Sequence, residues 1–288
     1  MTFPLKMAQW YISHTCNLAC PSCLSFNNYN IKGHEYWKDN KEYAKQWSQL
    51  VSVKDFSIIG GEPLSNPDLH NWVLGLRTLF DTDDFKICTN GTLLNKWIDQ
   101  AKEWIHLNVI LEISYHDPKH LEGIESALKN ILSGLDIKWI NGGQYNGPNF
   151  NYREYDKIGY LNDKVCVLLQ ENCEFRKWDL NNENDPNTSH KHCWWKNCHY
   201  WYKGELYKCG TIVGAQELSK KHNLKNKELI NSYKPINIMS NNLTEQLTNL
   251  KNYIPQCSMC TTLNFDNDDR ITLDPVPIKK LMVDYDHK

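Results

Sequence analysis

Eleven cysteines in a chain of 288 residues are the first sign of chemistry, and most of them fall into two groups. The first is "CNLACPSC", Cys16, Cys20 and Cys23, at a C-x3-C-x2-C spacing. The second is spread over "HCWWKNCHYWYKGELYKCG" and "PQCSMC" and comprises Cys193, Cys198, Cys209, Cys257 and Cys260. Thiolates are the ligands of iron–sulfur clusters and of structural zinc. Three from one loop leave one iron of a 4Fe-4S cube open to a ligand that is not protein. A zinc site would need a fourth ligand, which His14 or a distant residue could supply. The remaining Cys88, Cys166 and Cys173 make no metal-type spacing and are read as buried structural thiols.

Further candidates follow predicted strands. Gly60, Gly61, Glu62 and Pro63 come directly after "DFSII", where paired glycines let the backbone approach a ligand closely. Asn90 lies in "CTNGTLL" after "DFKIC", and Ser114 and His116 in "LEISYHDP" after the next apolar run. None of these stands out as a general acid or base, and catalytic residues stay unassigned.

The elements that position these residues alternate. Predicted strands are Met7 to Ser13, "DFSIIG", "DFKIC", "LNVILEIS" and "LDIKWI". Between them run amphipathic stretches: "HEYWKDNKEYAKQWSQLVS", a helix capped by Asn66 with Pro67 in its first turn, one burying Leu94, Trp97, Ile98, Ala101 and Ile105, and one burying Leu121, Ile124, Leu128 and Ile131. Strand-then-helix order predicts parallel βαβ units, hence the α/β class, with sites at the C-terminal ends of the strands. Residues Asn141 to Asp163 are expected to be loop with a short helix. A turn-rich stretch before Cys193 sets the expected boundary between domains 1–182 and 183–288. The second is predicted to place a β-hairpin at Gly204, presenting Cys209.

The first cysteine group resembles the signature C-x3-C-x-Φ-C of the radical S-adenosylmethionine (SAM) enzymes. Ser22 stands here where that pattern commonly has an aromatic residue. The resemblance implies a partial (β/α)6 barrel and a 4Fe-4S cluster on Cys16, Cys20 and Cys23 whose open iron binds SAM. It also implies reductive cleavage of SAM to a 5′-deoxyadenosyl radical that abstracts hydrogen from a substrate. "GGEP" resembles the family stretch that holds the methionine ammonium, through backbone groups and the Glu62 carboxylate. "TNG" and "ISYHDP" resemble family segments placing Asn90, Ser114 and His116 against SAM. The C-terminal cysteines are similar to the SPASM/twitch extension, whose C-x9–15-G-x4-C opening is matched by Cys193, Gly204 and Cys209. This implies a second, auxiliary 4Fe-4S cluster on four of the five late cysteines. A structural zinc knuckle on the same thiols is the alternative.

Lysine and arginine total 32 against 34 acids, giving a formal net charge of -2 and no whole-chain basic footprint for nucleic acid. No apolar stretch reaches a membrane span and no signal core opens the chain, so a cytoplasmic protein is expected. The first predicted strand begins near residue 7, and no separate leader-binding domain is expected ahead of it. A small-molecule, nucleotide or sugar substrate is therefore expected ahead of a peptide or protein one. An electron donor such as flavodoxin or ferredoxin is implied as partner. A different class of function, a metal-stabilised binding module using the aromatic–lysine run "CWWKNCHYWYKGELYK", leaves the three-cysteine loop and GGEP without purpose.

Overall fold

The computed structural model describes residues 2–20, 23–145, 153–171 and 184–260. The chain falls into two compact units: Met1–Ser13 with His34–Cys173, and His14–Gly33 with Glu174–Lys288. The three-cysteine loop therefore belongs by its contacts to the later unit, although it is covalently an excursion from the earlier one.

The first unit is built from β1 (Phe3–Tyr11), α1 (Trp37–Leu50), β2 (Val51–Ile59), α2 (Leu69–Leu79), β3 (Asp84–Thr89), α3 (Ile98–His106), β4 (Val109–Tyr115), α4 (Leu121–Ile131), β5 (Ile137–Tyr145), β6 (Arg153–Leu161) and β7 (Lys164–Glu171). Its strands run in the order β5-β6-β7-β4-β3-β2-β1. Strands β1, β2, β3, β4 and β7 are parallel neighbours, with Gln9 opposite Ser57, Ser57 opposite Lys86, and Cys88 opposite Glu112. This is the mixed α/β fold with a large parallel sheet that the alternating pattern predicts.

Strand alternation divides the chemistry between two faces. Trp10, Phe56, Ile58, Phe85 and Ile87 are buried, and on this face Trp10 meets Trp72 of α2 at 5.7 Å between ring centroids, while Phe56 meets Phe80 at 4.7 Å. Trp37 packs on Trp72 at 5.3 Å in space that only a glycine at 75 leaves, since a Cβ there would lie 2.1 Å from the indole. Burying an aromatic side chain of this size is worth about 2–3 kcal/mol. The opposite face carries Gln9, Asp55, Ser57, Lys86, Glu112 and Gln170, all buried and all polar.

Three local expectations change. "LDIKWI" is a strand, but β5 pairs antiparallel with β6 at the sheet edge, and the fifth parallel strand is β7. Residues expected as loop between 141 and 163 extend β5 and form β6. β5 is largely exposed on both faces, so no period-2 apolar signal marks it. It is held by main-chain pairing with β6 and, at its end, by Tyr145, whose hydroxyl donates to Asp84 Oδ1 at 2.8 Å. Asn66 does not cap α2, which begins at Leu69 with Asp68 before it. Its buried amide instead donates to Ile12 O at 2.8 Å and Glu35 O at 2.9 Å.

The second unit contains α5 (Pro186–Lys191), the hairpin β8 (Cys198–Tyr202) and β9 (Glu205–Tyr207), α6 (Gly210–Lys221), α7 (Lys227–Ser232) and α8 (Leu243–Asn249). The hairpin turns at Lys203 (φ 51°) and Gly204 (φ 77°), where Gly204 supplies the left-handed conformation at no steric cost. Its core gathers Trp201, Leu206, Ile212, Val213, Leu218 and Ile230. Among the described residues no helix is long and apolar enough to cross a membrane.

Candidate active site

Within the first unit, the predicted site residues gather where the parallel strands end. Gly61 N donates to Ser13 O at 2.6 Å, tying the turn after β2 to the end of β1. A Cβ at residue 60 would stand 2.6 Å from that same oxygen, so Gly60 is required for the crossing. Ser13 Oγ contacts His34 Nδ1 at 3.0 Å and Ser65 Oγ at 3.3 Å. These bonds pin the point from which the chain leaves β1 for the cysteine loop, and the point at which it returns. Sequence reasoning passed over Ser13, His34 and Ser65 because no spacing links them.

Glu62 is fully buried, and its carboxylate is used by the protein itself. Oε1 accepts from Leu64 N at 2.9 Å and from Thr89 Oγ1 at 2.6 Å, and Oε2 accepts from Asn90 N at 2.8 Å. Burial pushes its pKa up to about 7, against the pull of these three donors. The side chain thus clamps the turn after β2 to the turn after β3. Asn90 Oδ1 in turn accepts from Thr92 N and Oγ1, and Gly91 (φ 75°) leaves no room for a Cβ against Ile113 at 2.7 Å. Pro63 opens a single 3-10 turn and is buried. Ser114 accepts from Gln170 Nε2 at 2.8 Å, which joins β4 to β7. His116 lies just beyond β4, half-buried. Gly60, Gly61, Glu62, Asn90 and Ser114 are therefore brought to one end of one sheet.

The polar face of that sheet continues inward as a charged network. Lys86 Nζ donates to Asp55 Oδ2 at 2.7 Å, and Arg153 Nη1 donates to Glu112 Oε1 at 2.6 Å. Burial disfavours charge on Glu112, but Arg153 and Lys86 outweigh it and hold the carboxyl below its usual range. Cys88 Sγ donates to Glu112 Oε2 at 3.4 Å, and Cys166 Sγ to Gly159 O at 3.3 Å, so both are partnered thiols. Among the described residues, Gln9 Oε1 and Asp55 Oδ1 are buried acceptors with no hydrogen-bond donor.

The second unit holds the cysteines. The loop closes on itself at its neck, with His14 N donating to Gly33 O at 2.8 Å and Gly33 N to Thr15 Oγ1 at 3.2 Å. Cys16, Cys20 and Cys23 are half-buried. Burial, then the neighbouring Cys23 and Cys16, push Cys20 up to about 12. Burial also raises Cys23, while backbone N–H groups of Asn27, Ser25, Asn28 and Phe26 favour its thiolate. His14 is buried with its ring edge on Tyr202 at 5.1 Å, and burial holds it down to about 4. The loop packs on α6, where a Cβ at Gly214 would meet Phe26 at 2.8 Å.

Of the late cysteines, Cys209 precedes α6, and Cys257 lies in the 3-10 turn Pro255–Met259. Cys193, Cys209 and Cys257 act on one another electrostatically. Burial first, then Cys193 and Cys257, push Cys209 up to about 12. Cys198 is buried at the start of β8, and Cys260 offers its carbonyl to Asn184 Nδ2 at 2.7 Å and Ser189 Oγ at 3.0 Å. Among the described residues no three His, Cys, Asp or Glu side chains stand close enough together to hold a metal. The donor sets nonetheless suit iron–sulfur ligation: each group is thiol only, and Cys23 sits under four amide N–H groups of the kind that stabilise a cluster sulfur. Ser22 and Cys173 lie outside the described residues.

No family model matches the chain. A GTP 3',8-cyclase of Listeria welshimeri is 27% identical over 128 residues, 43% of this chain and 38% of that protein. The radical SAM cyclopropyl synthase TigE of Paramaledivibacter caminithermalis is 26% identical over 204 residues, 60% of this chain and 43% of that protein. The chain is thus similar in sequence to part of a radical SAM enzyme. The match spans about two fifths of the length of these curated relatives. Among solved structures, BtrN in complex with AdoMet and 2-DOIA has a TM-score of 0.49 at 16% identity, covering 93% of this chain and 99% of that one. To the residues that spacing marks, the described geometry adds the hydrogen bonds of Glu62 and Ser13.

Proposed function

We propose that this chain is an enzyme that binds SAM at a 4Fe-4S cluster on Cys16, Cys20 and Cys23 and abstracts hydrogen from a small polar substrate. When bound, the cluster and SAM would together supply a 5′-deoxyadenosyl radical. The chain's own residues set the stage. The observation that carries the reading is the bond from Gly61 N to Ser13 O, three residues ahead of Cys16. It holds the GGEP turn against the end of β1, where the carbonyls of Gly60 and Gly61 would receive the methionine ammonium. Glu62 positions that backbone through its bonds to Leu64, Thr89 and Asn90 instead of reaching a ligand itself.

A hydroxyl- or amine-bearing small molecule is the substrate class favoured, ahead of a peptide. Gln9 Oε1 and Asp55 Oδ1 are buried acceptors in want of donors, which hydroxyl or ammonium groups supply. A second 4Fe-4S cluster is assigned to Cys193, Cys209 and Cys257 with Cys260 completing the set, as an aid to substrate binding or oxidation. A low-potential electron donor such as flavodoxin or ferredoxin would serve as partner.

The test is anaerobic reconstitution of the full chain and of Cys16→Ala/Cys20→Ala/Cys23→Ala, with iron, sulfide and zinc measured alongside 5′-deoxyadenosine formed from SAM and dithionite. About eight irons falling to about four in the variant, with 5′-deoxyadenosine formation abolished, is the expected result. Zinc without iron in the parent chain would overturn the reading.

A further inference from the structure

Lys208 is 3% exposed, yet it carries a charged head group. Its Nζ donates to Lys196 O at 3.0 Å and to Leu250 O. Its main chain is held as tightly, with its N–H donating to Tyr233 Oη at 2.7 Å and its carbonyl contacted by His199 Nδ1 at 3.0 Å. A buried ammonium with two neutral carbonyl partners is under-compensated, and such a charge persists only when an anion is near. Burial pulls its pKa below the usual ammonium range, and among the described residues the groups that pull it back up are the sulfurs of Cys209, Cys257 and Cys193.

The placement is not a chance of one neighbour. Lys208 adjoins Cys209 in the chain, Lys196 follows Cys193 by three residues, and Leu250 precedes Cys257 by seven. One ammonium therefore ties together the three segments that carry those cysteines. The hydrogen bonds are made to backbone carbonyls, so the tie does not depend on the rotamer of any partner.

We propose that Lys208 is the counter-cation of the second cysteine site, anchored by the carbonyls of Lys196 and Leu250, and that it raises the reduction potential of the iron–sulfur group held there. The inference rests on the reading of that site as an iron–sulfur centre. Its physical basis is Coulombic. Reduction adds negative charge to the cluster, and a fixed cation in a low-dielectric interior stabilises the reduced form more than the oxidised one. Lys208 acts through the cluster, so it is a positioning and tuning residue and not a catalytic one. A higher potential makes the centre a better electron acceptor.

The experiment uses the full chain carrying Cys16→Ala/Cys20→Ala/Cys23→Ala, reconstituted anaerobically with iron and sulfide, so that signals come from the second site alone. Metal content and an EPR-monitored redox titration are then compared for this parent, Lys208→Gln and Lys208→Arg. The glutamine keeps a donor for one carbonyl but removes the charge, and the arginine keeps the charge. The expected result is a shift of the midpoint to more negative potential in the glutamine variant and a value near the parent's in the arginine variant. Iron lost from Gln but kept in Arg also supports the charge role. An unchanged midpoint in Lys208→Gln at full iron content overturns the proposal, as does loss of iron from both variants, which would mean a packing role. A parent that takes up zinc and no iron removes the iron–sulfur reading first, and the tuning role falls with it.

Discussion

The GGEP turn of the first unit and the cysteine segments of the second are both candidate cofactor sites, but they are held in opposite ways. Around Glu62 the polar groups are paired within the protein: three donors meet one carboxylate, and Gly61 closes on Ser13. Around the cysteines the thiols are pushed up by burial and by one another, and no three stand within metal-holding distance among the described residues. The first site is complete before a ligand arrives. The second, on the proposed reading, is a set of thiol donors completed by a metal, so binding there would release protons and draw the segments together. A structure can thus preorganise a hydrogen-bonded turn by itself, whereas a thiolate cluster site is finished by its metal.

Removing metal should show this contrast most strongly. Chelation under anaerobic conditions is expected to abolish amide protection in residues 14–20 and 193–260 while leaving β1 to β4 protected, as read by hydrogen exchange. Equal loss of protection in both regions would break the comparison. Next in size is the charged network beneath the first site. Lys86→Met leaves Asp55 without its cation in the interior, while Glu112 keeps Arg153, and should cost about 3–5 kcal/mol in denaturant unfolding.

Glu62 gives a pH test of similar scale. Its folded pKa of about 7 lies above the reference value of 4.5. A raised carboxyl favours the folded state below its unfolded pKa, and that contribution is lost as pH rises through the folded value. Between pH 4.5 and 7 the loss should reach about 3 kcal/mol. Comparing unfolding curves of wild type and Glu62→Gln across this window isolates it. A constant difference between the two would show that Glu62 is not raised. The smallest effect expected is from Gly60→Ala, where the new methyl meets Ser13 O at 2.6 Å and should cost about 1–3 kcal/mol. A neutral result would mean that the turn can move away from β1, and the preorganised half of the comparison would fail.

Much was legible from spacing and period. The C-x3-C-x2-C loop, GGEP and the buried helix faces bearing Ala101, Ile105 and Ile124 depend on residues near one another in sequence, and local geometry decides them. The second cysteine group was legible as a group, and spacing already favoured Cys193, Cys209, Cys257 and Cys260 over Cys198. The structure adds that Cys193, Cys209 and Cys257 act on one another electrostatically. Their proximity depends on the hairpin β8–β9 and on the chain returning through Leu250. Cys198, equally suited by composition, instead opens β8 and is buried there.

By itself, then, the sequence determined the α/β alternation, the thiol inventory and the positions of both glycine turns, because steric and hydrophobic periodicities act over a few residues. Only the tertiary structure decided that β5 and β6 form an antiparallel edge, that Glu62 serves the protein's own amides, and that Lys208 sits buried beside three thiols. Each of these is set by main-chain hydrogen bonds or charges between segments far apart in the chain. Such pairings are chosen by which buried polar groups would otherwise go unpaired, a cost that no local pattern records.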